Sequence, residues 1–327
     1  MNEVPSTLFF ESVVRNEQRG FFLVDALAAR FTYLSRDAWR QKILNGVVTL
    51  NGEVASPETI VQAKDKIVYR VDDYAEPEVP THFETLYRDD DFLILSKPAG
   101  IPVHHTGRIF YNTFTGVVRR AFQNDEISPM HRLDRDTGGI MVLAMNADTL
   151  KRFEKSLEHI LLRKLYLCVV RGSFPEGETV CELPLAEDPQ HKIRIKMFPR
   201  ENGKPCKTVF RKVAEFRENI GDIEAPFSVV EAELFTGRKH QIRAHLASLG
   251  HPIVGDKLYD FDGSFYLKLV EGPLSEDDFR ILGAHTQMLF AYRAQIAIPG
   301  KNPEWFMAAN FPEEMRQVVQ KIPQKWF

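Results

Sequence analysis

The amino-acid sequence predicts an α+β protein made of two domains. A chain of 327 residues is long enough for about two domains, and a content of 44% hydrophobic and 27% charged residues is ordinary for a globular protein. Residues 72–82, DDYAEPEVPTH, combine acids with two prolines and lack hydrophobic periodicity, which is typical of an extended linker. Strands, turns and helices interleave after this linker without detectable repeats.

The segment before the linker predicts two small helices. Residues 24–31 place apolar side chains on one helical face, which indicates a short amphipathic helix. Ser35 can cap a second helix that directs Trp39 inward. The outer face of this second helix carries Arg36 and Arg40, one turn apart, so it is basic.

A hairpin follows these helices. Asn45-Gly46 ends the second helix, and residues 47–50 read as a strand. Asn51-Gly52 is a strong signal for a two-residue turn, and the strand KIVYR at 66–70 closes the unit. This order of elements resembles the alpha-L RNA-binding motif, which implies that Arg36 and Arg40 contact RNA.

The larger segment predicts several buried strands and two helices. Residues 139–145, GIMVLAM, and 164–172, KLYLCVVRG, read as buried strands. Asn146 can cap a helix whose apolar stripe runs from Leu150 to Leu161. Thr236 can cap a later helix that ends at Gly250.

Composition indicates a protein of the cytoplasm. The longest apolar runs fall far short of the ~20 residues that a membrane span requires, and the amino terminus lacks the pattern of a secretory signal. The cysteines at 168, 181 and 206 fit neither a disulfide framework nor a zinc ribbon, so we expect reduced, mostly buried thiols.

Charge is unevenly distributed along the chain, although the net charge is only −3. Residues 188–217 hold nine Lys and Arg against three acids, and residues 236–245, TGRKHQIRAH, contain no acid. Acids concentrate instead in residues 271–278. The two basic stretches are either solvated surface or the local charge that nucleic-acid binding uses.

The segment HRLDRDTGG, residues 131–139, surrounds the carboxylate of Asp134 with His131, Arg132 and Arg135. Opposite charges within a few ångströms keep a carboxylate ionised and so available as a nucleophile or electrostatic stabiliser. A solvated salt bridge in a loop is the alternative interpretation.

Other segments are ambiguous when they are read singly. Tyr166 lies in a predicted strand, where a tyrosine usually packs but can also stack a nucleobase or exchange a proton. His245 falls beside the buried stripe of its helix and is expected in the core, whereas His240 and Arg243 point elsewhere together. Zinc is a poor explanation for these histidines, because their spacing and neighbours are wrong. Residues 97–107, KPAGIPVHHTG, lack a phosphate-loop pattern and predict a rigid loop lining a polar pocket.

Five segments together resemble the RluA-type pseudouridine synthases. They are KPAG at 97–100, HRLDRDTGG at 131–139, KLY at 164–166, TGRKHQIRAHL at 236–246 and GHPIVGDKLY at 250–259. The resemblance implies a pseudouridine synthase fold, with a mixed, largely antiparallel central sheet and flanking helices, preceded by a small α/β RNA-binding domain. One departure is Gly138, where the family usually has serine.

The resemblance also implies roles for individual residues. Asp134 matches the catalytic aspartate, Tyr166 the active-site tyrosine and Arg243 the basic residue that pairs with the aspartate. Arg132 matches the arginine that can fill the gap left by a flipped uridine. The further RNA contacts that we expect are His131, Arg238, Lys239 and His240. The family needs no metal or organic cofactor.

The sequence therefore predicts an RNA uridine isomerase that acts on large-subunit ribosomal RNA or transfer RNA. We expect a cytoplasmic monomer that binds neither membrane nor DNA. The predicted organisation is an extension at 1–19, the alpha-L motif at 20–72, a linker at 73–84 and the catalytic domain at 85–327. The alternative is a non-catalytic RNA-binding or ribosome-assembly factor with the same fold. A metal-dependent hydrolase would need clustered carboxylates or histidine ligands, which the sequence lacks.

Overall fold

The computed structural model describes residues 5–31, 34–106, 109–220 and 223–322, without the side chains of residues 218 and 223. The chain divides into two units, residues 1–77 and 78–327, each with its own hydrophobic core. The boundary falls within the stretch 73–84 whose composition predicts a linker.

The N-terminal unit combines two helices with a four-stranded antiparallel sheet. Its elements are β1 (Leu8–Val13), α1 (Leu23–Arg30), α2 (Arg36–Leu44), β2 (Val48–Leu50), β3 (Glu53–Val54) and β4 (Lys66–Val71). The strand order is β1-β4-β2-β3. Ser35 caps α2 by accepting a hydrogen bond from the backbone N–H of Ala38, and Trp39 is buried, as the sequence predicts. Asn51 and Gly52 have φ values of 54° and 89°, which a tight hairpin turn requires.

The prediction that residues 1–19 form an extension is wrong for residues 8–13, because they form β1, a strand of the N-terminal sheet. This strand pairs antiparallel with β4 from Leu8, opposite Val71, to Val13, opposite Lys66. Its side chains alternate between half-buried and exposed, so one face packs while the other meets water. The physical reason is that β1 satisfies the backbone hydrogen-bonding groups along the open edge of β4.

The second unit contains twelve strands and six α-helices among the residues that the structure describes. The strands are β5 (Glu84–Arg88), β6 (Phe92–Lys97), β7 (Ser128–Pro129), β8 (Gly138–Ala144), β9 (Leu161–Arg171), β10 (Glu178–Cys181), β11 (Leu185–Glu187), β12 (Met197–Pro199), β13 (Thr208–Ile220), β14 (Ile223–Leu234), β15 (Leu289–Ile296) and β16 (Glu304–Met307). The helices are α3 (Phe114–Phe122), α4 (Ala147–Phe153), α5 (Gln241–Ser248), α6 (Ser264–Glu271), α7 (Glu276–Leu282) and α8 (Glu313–Val319).

Ten of these strands form one mixed sheet. Eight follow the order β10-β13-β14-β9-β15-β8-β6-β5, with β16 paired to β15 and β7 paired to β8. Only β8 and β15 run parallel, and the other pairs are antiparallel. The predicted mixed, largely antiparallel sheet with flanking helices is confirmed. The central strand β9 places Tyr166 at the middle of the sheet.

Two predicted helices have different bounds in the structure. The helix after Asn146 ends at Phe153, and Leu161 already belongs to β9, so the predicted stripe from Leu150 to Leu161 does not lie on one helix. Leu161 pairs with β15 instead, because burial in a sheet also accommodates a run of apolar residues. Thr236 does not cap α5, since its hydroxyl bonds the backbone N–H of Lys207 and the Gln241 side chain.

The three cysteines are buried, as predicted, and none is paired in a disulfide. No helix within the described part of the chain is both long and apolar enough to span a bilayer.

Candidate active site

The loop between β7 and β8 carries Asp134, and a buried lysine holds this loop in place. Lys97, at the end of β6, is fully buried and donates hydrogen bonds from Nζ to the carbonyl oxygens of Pro98, Ile101 and Arg135 at 2.9, 2.8 and 3.1 Å. Burial lowers the pKa of Lys97 to about 7, although the charges of nearby aspartates oppose this shift. Lys97 therefore joins the KPAG turn to the Asp134 loop.

The far end of the same loop is equally constrained. Gln287 donates to the hydroxyl of Thr137 at 2.7 Å, and the Lys257 ammonium lies 3.2 Å from the carboxylate of Asp136. A Cβ atom on Gly138 would lie 2.9 Å from the ring of Phe290, so the serine that the family usually has would require this ring to move. Glycine at position 138 thus leaves room for the nearby ring of Phe290.

Asp134 shares one arginine with a second carboxylate. Nη1 of Arg243, on α5, donates to Oδ2 of Asp134 at 2.7 Å. Nε and Nη2 of the same guanidinium donate to the two oxygens of Asp256, both at 2.8 Å. Such a planar fork is the geometry in which arginine binds carboxylate most strongly. The guanidinium is therefore fixed on one side by Asp256 and presents its remaining edge to Asp134.

Asp256 and Tyr259 are functional neighbours that the sequence interpretation missed. The Asp256 side chain is fully buried and also accepts hydrogen bonds from the backbone N–H groups of Leu258 and Tyr259. The ring of Tyr259 lies 5.2 Å from the Arg243 guanidinium carbon. Both residues belong to the GHPIVGDKLY segment, and the single acid of this segment was the available signal.

The environment keeps Asp134 ionised. Burial opposes its ionisation, but the charge of Arg243 and its hydrogen bond lower the pKa of the Asp134 carboxyl, and the charge of Arg132 adds to this effect. Its Oδ1 atom has no hydrogen-bond partner among the residues that the structure describes. One carboxylate oxygen is thus free to meet a ligand.

Tyr166 lies in the wall of the same cavity as Asp134. Its side chain is buried, and its hydroxyl has no hydrogen-bond partner within the described ranges. Burial, and secondarily the charge of Asp134, raises the pKa of the Tyr166 phenol well above its ordinary value. The phenol is therefore protonated at neutral pH.

A cavity of about 750 Å³ brings the three predicted catalytic residues together. This volume lies in the range of roughly 300–1,000 Å³ that is usual for small-molecule sites. Its wall includes Asp134, Tyr166, Arg243, His131, Arg132, Lys164, Phe235, Arg238, Lys239 and His240. The described residues of the 97–107 loop do not line this cavity, and the prediction that the loop lines a polar pocket stays a prediction. The loop acts on the site through Lys97.

The basic residues of this unit that are predicted to contact RNA differ in their exposure and in whether an acid already pairs with them. Arg132 is exposed and has no ion-pair partner in the part of the chain that the structure describes. Arg238 is also exposed and uses only Nε, which donates to a backbone carbonyl. Lys239 pairs with Glu187 at 2.7 Å. Arg132 and Arg238 are therefore the better placed cations at the cavity.

His131 has a structural partner. Its Nε2 accepts a hydrogen bond from the backbone N–H of Val142 at 3.0 Å, and burial lowers its pKa to about 4. A neutral ring held by β8 in this way anchors the Asp134 loop, and it offers no positive charge to RNA.

The N-terminal arginines also form ion pairs. Arg36 lies 2.6 Å from Asp25, and Arg40 lies 2.6 Å from Glu58, although both guanidinium groups stay partly exposed. Neither arginine lines the cavity of the second unit. Their contact with RNA stays a prediction.

Acids from outside the basic stretch at 188–217 pair with three of its nine cations. Lys207, Arg211 and Lys212 pair with acids that precede the stretch in the sequence, namely Glu182, Glu178 and Glu176. The surplus of positive charge counted along the sequence is therefore smaller in space, because antiparallel β10 brings acids beside β13. His245 is a buried core histidine, as expected, and contacts Thr208 and the carbonyl of Leu183.

No group of three or more His, Cys, Asp or Glu side chains that could hold a metal occurs within the described ranges. The site that the structure does contain is an ionised carboxylate beside a tyrosine and an arginine. The sequence profile of the RNA pseudouridylate synthases matches residues 91–248, which include all three of these side chains. Residues 91–248 are an RNA pseudouridine synthase domain.

Individual relatives agree with this domain match. The chain is 29% identical over 321 residues to ribosomal large subunit pseudouridine synthase D of Xanthomonas campestris, which covers 95% of this chain and 92% of that protein. It is 31% identical over 282 residues to the mitochondrial tRNA pseudouridine(32) synthase of Saccharomyces cerevisiae, which covers 85% of this chain. The chain spans 58% of the length of the yeast protein and 44% of that of the mouse pseudouridylate synthase RPUSD2.

A solved structure supports the fold. Human RNA pseudouridylate synthase domain containing 1 superposes with a TM-score of 0.53 at 22% identity, over 75% of this chain and 96% of that one. The family profile does not include residues 1–77, so the alpha-L motif stays a prediction for the N-terminal unit.

Proposed function

We propose that this protein isomerises specific uridines in structured RNA to pseudouridine, with Asp134 as the catalytic carboxylate. The observation that carries the proposal is the arrangement around Arg243. One guanidinium binds a buried carboxylate, Asp256, and an accessible one, Asp134, so that the accessible carboxylate stays charged in a cavity that also contains Tyr166.

The proposed chemistry needs a charged carboxylate near the sugar. The isomerisation breaks the bond between the anomeric carbon and a ring nitrogen, rotates the uracil, and joins the sugar to a ring carbon. An ionised carboxylate close to the anomeric carbon stabilises or captures the positive charge that develops there, as in glycosyl transfer. Oδ1 of Asp134 is placed for this role because Arg243 occupies Oδ2.

Tyr166 contributes a ring and a neutral phenol in this proposal. Its raised pKa disfavours a phenolate in the resting site, and this supports stacking on the flipped uracil over proton abstraction by a phenolate. Stacking of a base on an aromatic side chain contributes about 1–3 kcal/mol and tolerates any base.

Arg132 completes the proposed flipping step. Extrusion of a base from a helix or a folded loop costs a few kcal/mol of stacking and pairing. The exposed Arg132 guanidinium at the cavity can occupy the vacated stack, while Arg238 supplies a charge for the phosphate backbone.

Large-subunit ribosomal RNA and transfer RNA are the proposed substrate classes. Support comes from the relatives, one named for a ribosomal large subunit and another for transfer RNA. A cytoplasmic location and a monomeric state stay predictions from the sequence.

Pseudouridine mapping tests this proposal. Total RNA from cells that express the wild-type chain is compared with RNA from cells that express only Asp134→Asn. We expect one or more pseudouridines in ribosomal or transfer RNA that depend on the wild-type carboxylate. Identical maps would favour the alternative, a non-catalytic RNA-binding factor.

A further inference from the structure

His240 has a backbone conformation that is unusual for a residue with a side chain. Its φ of 55° and ψ of 21° lie in the left-handed region, directly before α5. Such a conformation costs of order 1 kcal/mol or more in a residue other than glycine and tends to occur where a side chain must be aimed. The side chain of Gln241 fixes the preceding turn by accepting from the backbone N–H of Arg238 and from Thr236.

A hydrogen-bond chain selects one tautomer of the His240 ring. The hydroxyl of Tyr259 accepts from the backbone N–H of Met197 at 2.8 Å and lies 3.2 Å from Nδ1 of His240. Within the described residues, Nδ1 is the only acceptor for the phenol proton, so Tyr259 donates to it. The proton of the neutral ring must then reside on Nε2.

The Nε2–H group faces the cavity without a partner. Oδ2 of Asp134 lies 3.9 Å from Nε2, which is too far for a hydrogen bond. That oxygen already accepts from Arg243 at 2.7 Å. The imidazole is only 10% exposed, and burial, followed by the charge of Arg243, lowers its pKa to about 4. A neutral, oriented N–H donor is thus available to a ligand that contacts Asp134.

We propose that Nε2–H of His240 donates a hydrogen bond to a carbonyl oxygen of the flipped uracil and stabilises the negative charge that develops during the reaction. This role rests on the proposed function and deepens it. When the bond between the anomeric carbon and N1 breaks, its electron pair moves onto the uracil and spreads to the carbonyl oxygens. The pair then forms the bond from C5 to the sugar, C5 releases its proton to water, and N1 gains a proton from water.

His240 transfers no proton in this step. A neutral donor suits the position because a cation there would compete with the sugar for Asp134. Preorganised donors aimed at developing charge typically contribute about 10²–10³ to a rate. Tyr259 is a positioning residue, because its hydrogen bond to Nδ1 of His240 decides which nitrogen of that ring carries the proton.

The test uses the purified full-length chain and three variants. Leucine in His240→Leu fills similar space without a hydrogen-bond donor. Glutamine in His240→Gln restores an N–H group at about the reach of Nε2. Tyr259→Phe removes the phenol that fixes the tautomer of the His240 ring. The substrates are transcripts of large-subunit ribosomal RNA and transfer RNA labelled with tritium at uracil C5. Single-turnover tritium release gives the rate constant, and filter binding gives the affinity for the same RNA.

We expect His240→Leu to lower the rate constant about 100-fold while the dissociation constant for RNA changes less than threefold. His240→Gln should recover at least tenfold of this loss, and Tyr259→Phe should lose a few-fold. Equal rates for His240→Leu and wild type would overturn the role. Equally slow leucine and glutamine variants that still bind RNA would also overturn it. Absence of tritium release by the wild type would instead overturn the proposed function itself.

Discussion

At the scale of single residues, the two carboxylates on Arg243 differ in their surroundings. The Asp256 side chain is fully buried, whereas that of Asp134 is 22% exposed and opens on the cavity. Breaking a buried ion pair from one side costs about 3–5 kcal/mol, because the remaining charge has no solvent to replace its partner. Water can enter beside Asp134 but not beside Asp256.

We therefore predict that the two asparagine substitutions have unequal effects on stability. Asp256→Asn should lower the free energy of unfolding by about 3 kcal/mol or more, and Asp134→Asn by less than about 1 kcal/mol. Urea unfolding followed by circular dichroism measures both values. Equal losses in the two variants would mean that Asp134 is a structural partner of Arg243.

Sequence reasoning predicted three of the central residues and misjudged others. Asp134, Tyr166 and Arg243 lie in recognisable segments, and the structure places all three at one cavity. Asp256 was missed because its bond to Arg243 depends on a turn after α5 that no spacing rule encodes. The structural role of His131 was missed, because a hydrogen bond from a β8 backbone N–H to a ring nitrogen cannot be deduced from residue type.

At the scale of elements, the approach of β8 to β15 fixes where the Asp134 loop ends. Gly139 lies opposite Ala291 in the parallel pair and has a φ of 111°. A Cβ atom there would lie 2.2 Å from the carbonyl oxygen of Ala291, which is backbone and cannot move aside. A glycine is required here both by conformation and by space.

We predict that Gly139→Ala destabilises the second unit by about 3 kcal/mol or more and lowers turnover with it. Gly272→Ala is the matched control, because that position has no atom within 4 Å of the added Cβ and an extended φ of −178°. The control should change stability by less than about 0.5 kcal/mol. Thermal unfolding of both variants measures these changes in stability. A Gly139→Ala protein as stable as the wild type would contradict the close packing described for Gly139 and Ala291.

The ends of helices and turns were predicted correctly where they depend on local sequence and wrongly where they depend on distant residues. Local signals placed α2, the turn at Asn51-Gly52 and the start of α4, since each depends on neighbours in the chain. The end of α4 was predicted too late and the cap of α5 wrongly. In both cases long-range partners, β15 for Leu161 and Lys207 for Thr236, decided the outcome.

At the scale of the whole molecule, the division into two units separates the chemistry from the N-terminal module. All residues that line the cavity follow residue 130. The N-terminal unit, residues 1–77, holds nine basic and eleven acidic residues, so any attraction to RNA depends on local placement and not on net charge. The sequence predicted two domains but not the strand order, because partners such as β8 and β15 are about 150 residues apart.

We predict that residues 78–327 fold alone and react at a rate within about threefold of the full chain when RNA is saturating. A loss of affinity with an unchanged saturated rate would assign the N-terminal unit to RNA binding. A fragment that folds cooperatively but does not react would contradict the assignment of the chemistry to the second unit alone. The measurement is single-turnover conversion as a function of protein concentration.

Tritium release from RNA labelled at uracil C5 tests the central claim most directly. Purified wild-type protein should release tritium from a transcript of ribosomal or transfer RNA, with pseudouridine as the product. Asp134→Asn should bind the same RNA, unfold at a similar urea concentration and release tritium at least about 10⁴-fold more slowly, because asparagine lacks the charge that glycosyl transfer needs. Turnover by Asp134→Asn at a rate near that of the wild type would contradict the assignment of Asp134 as the catalytic carboxylate.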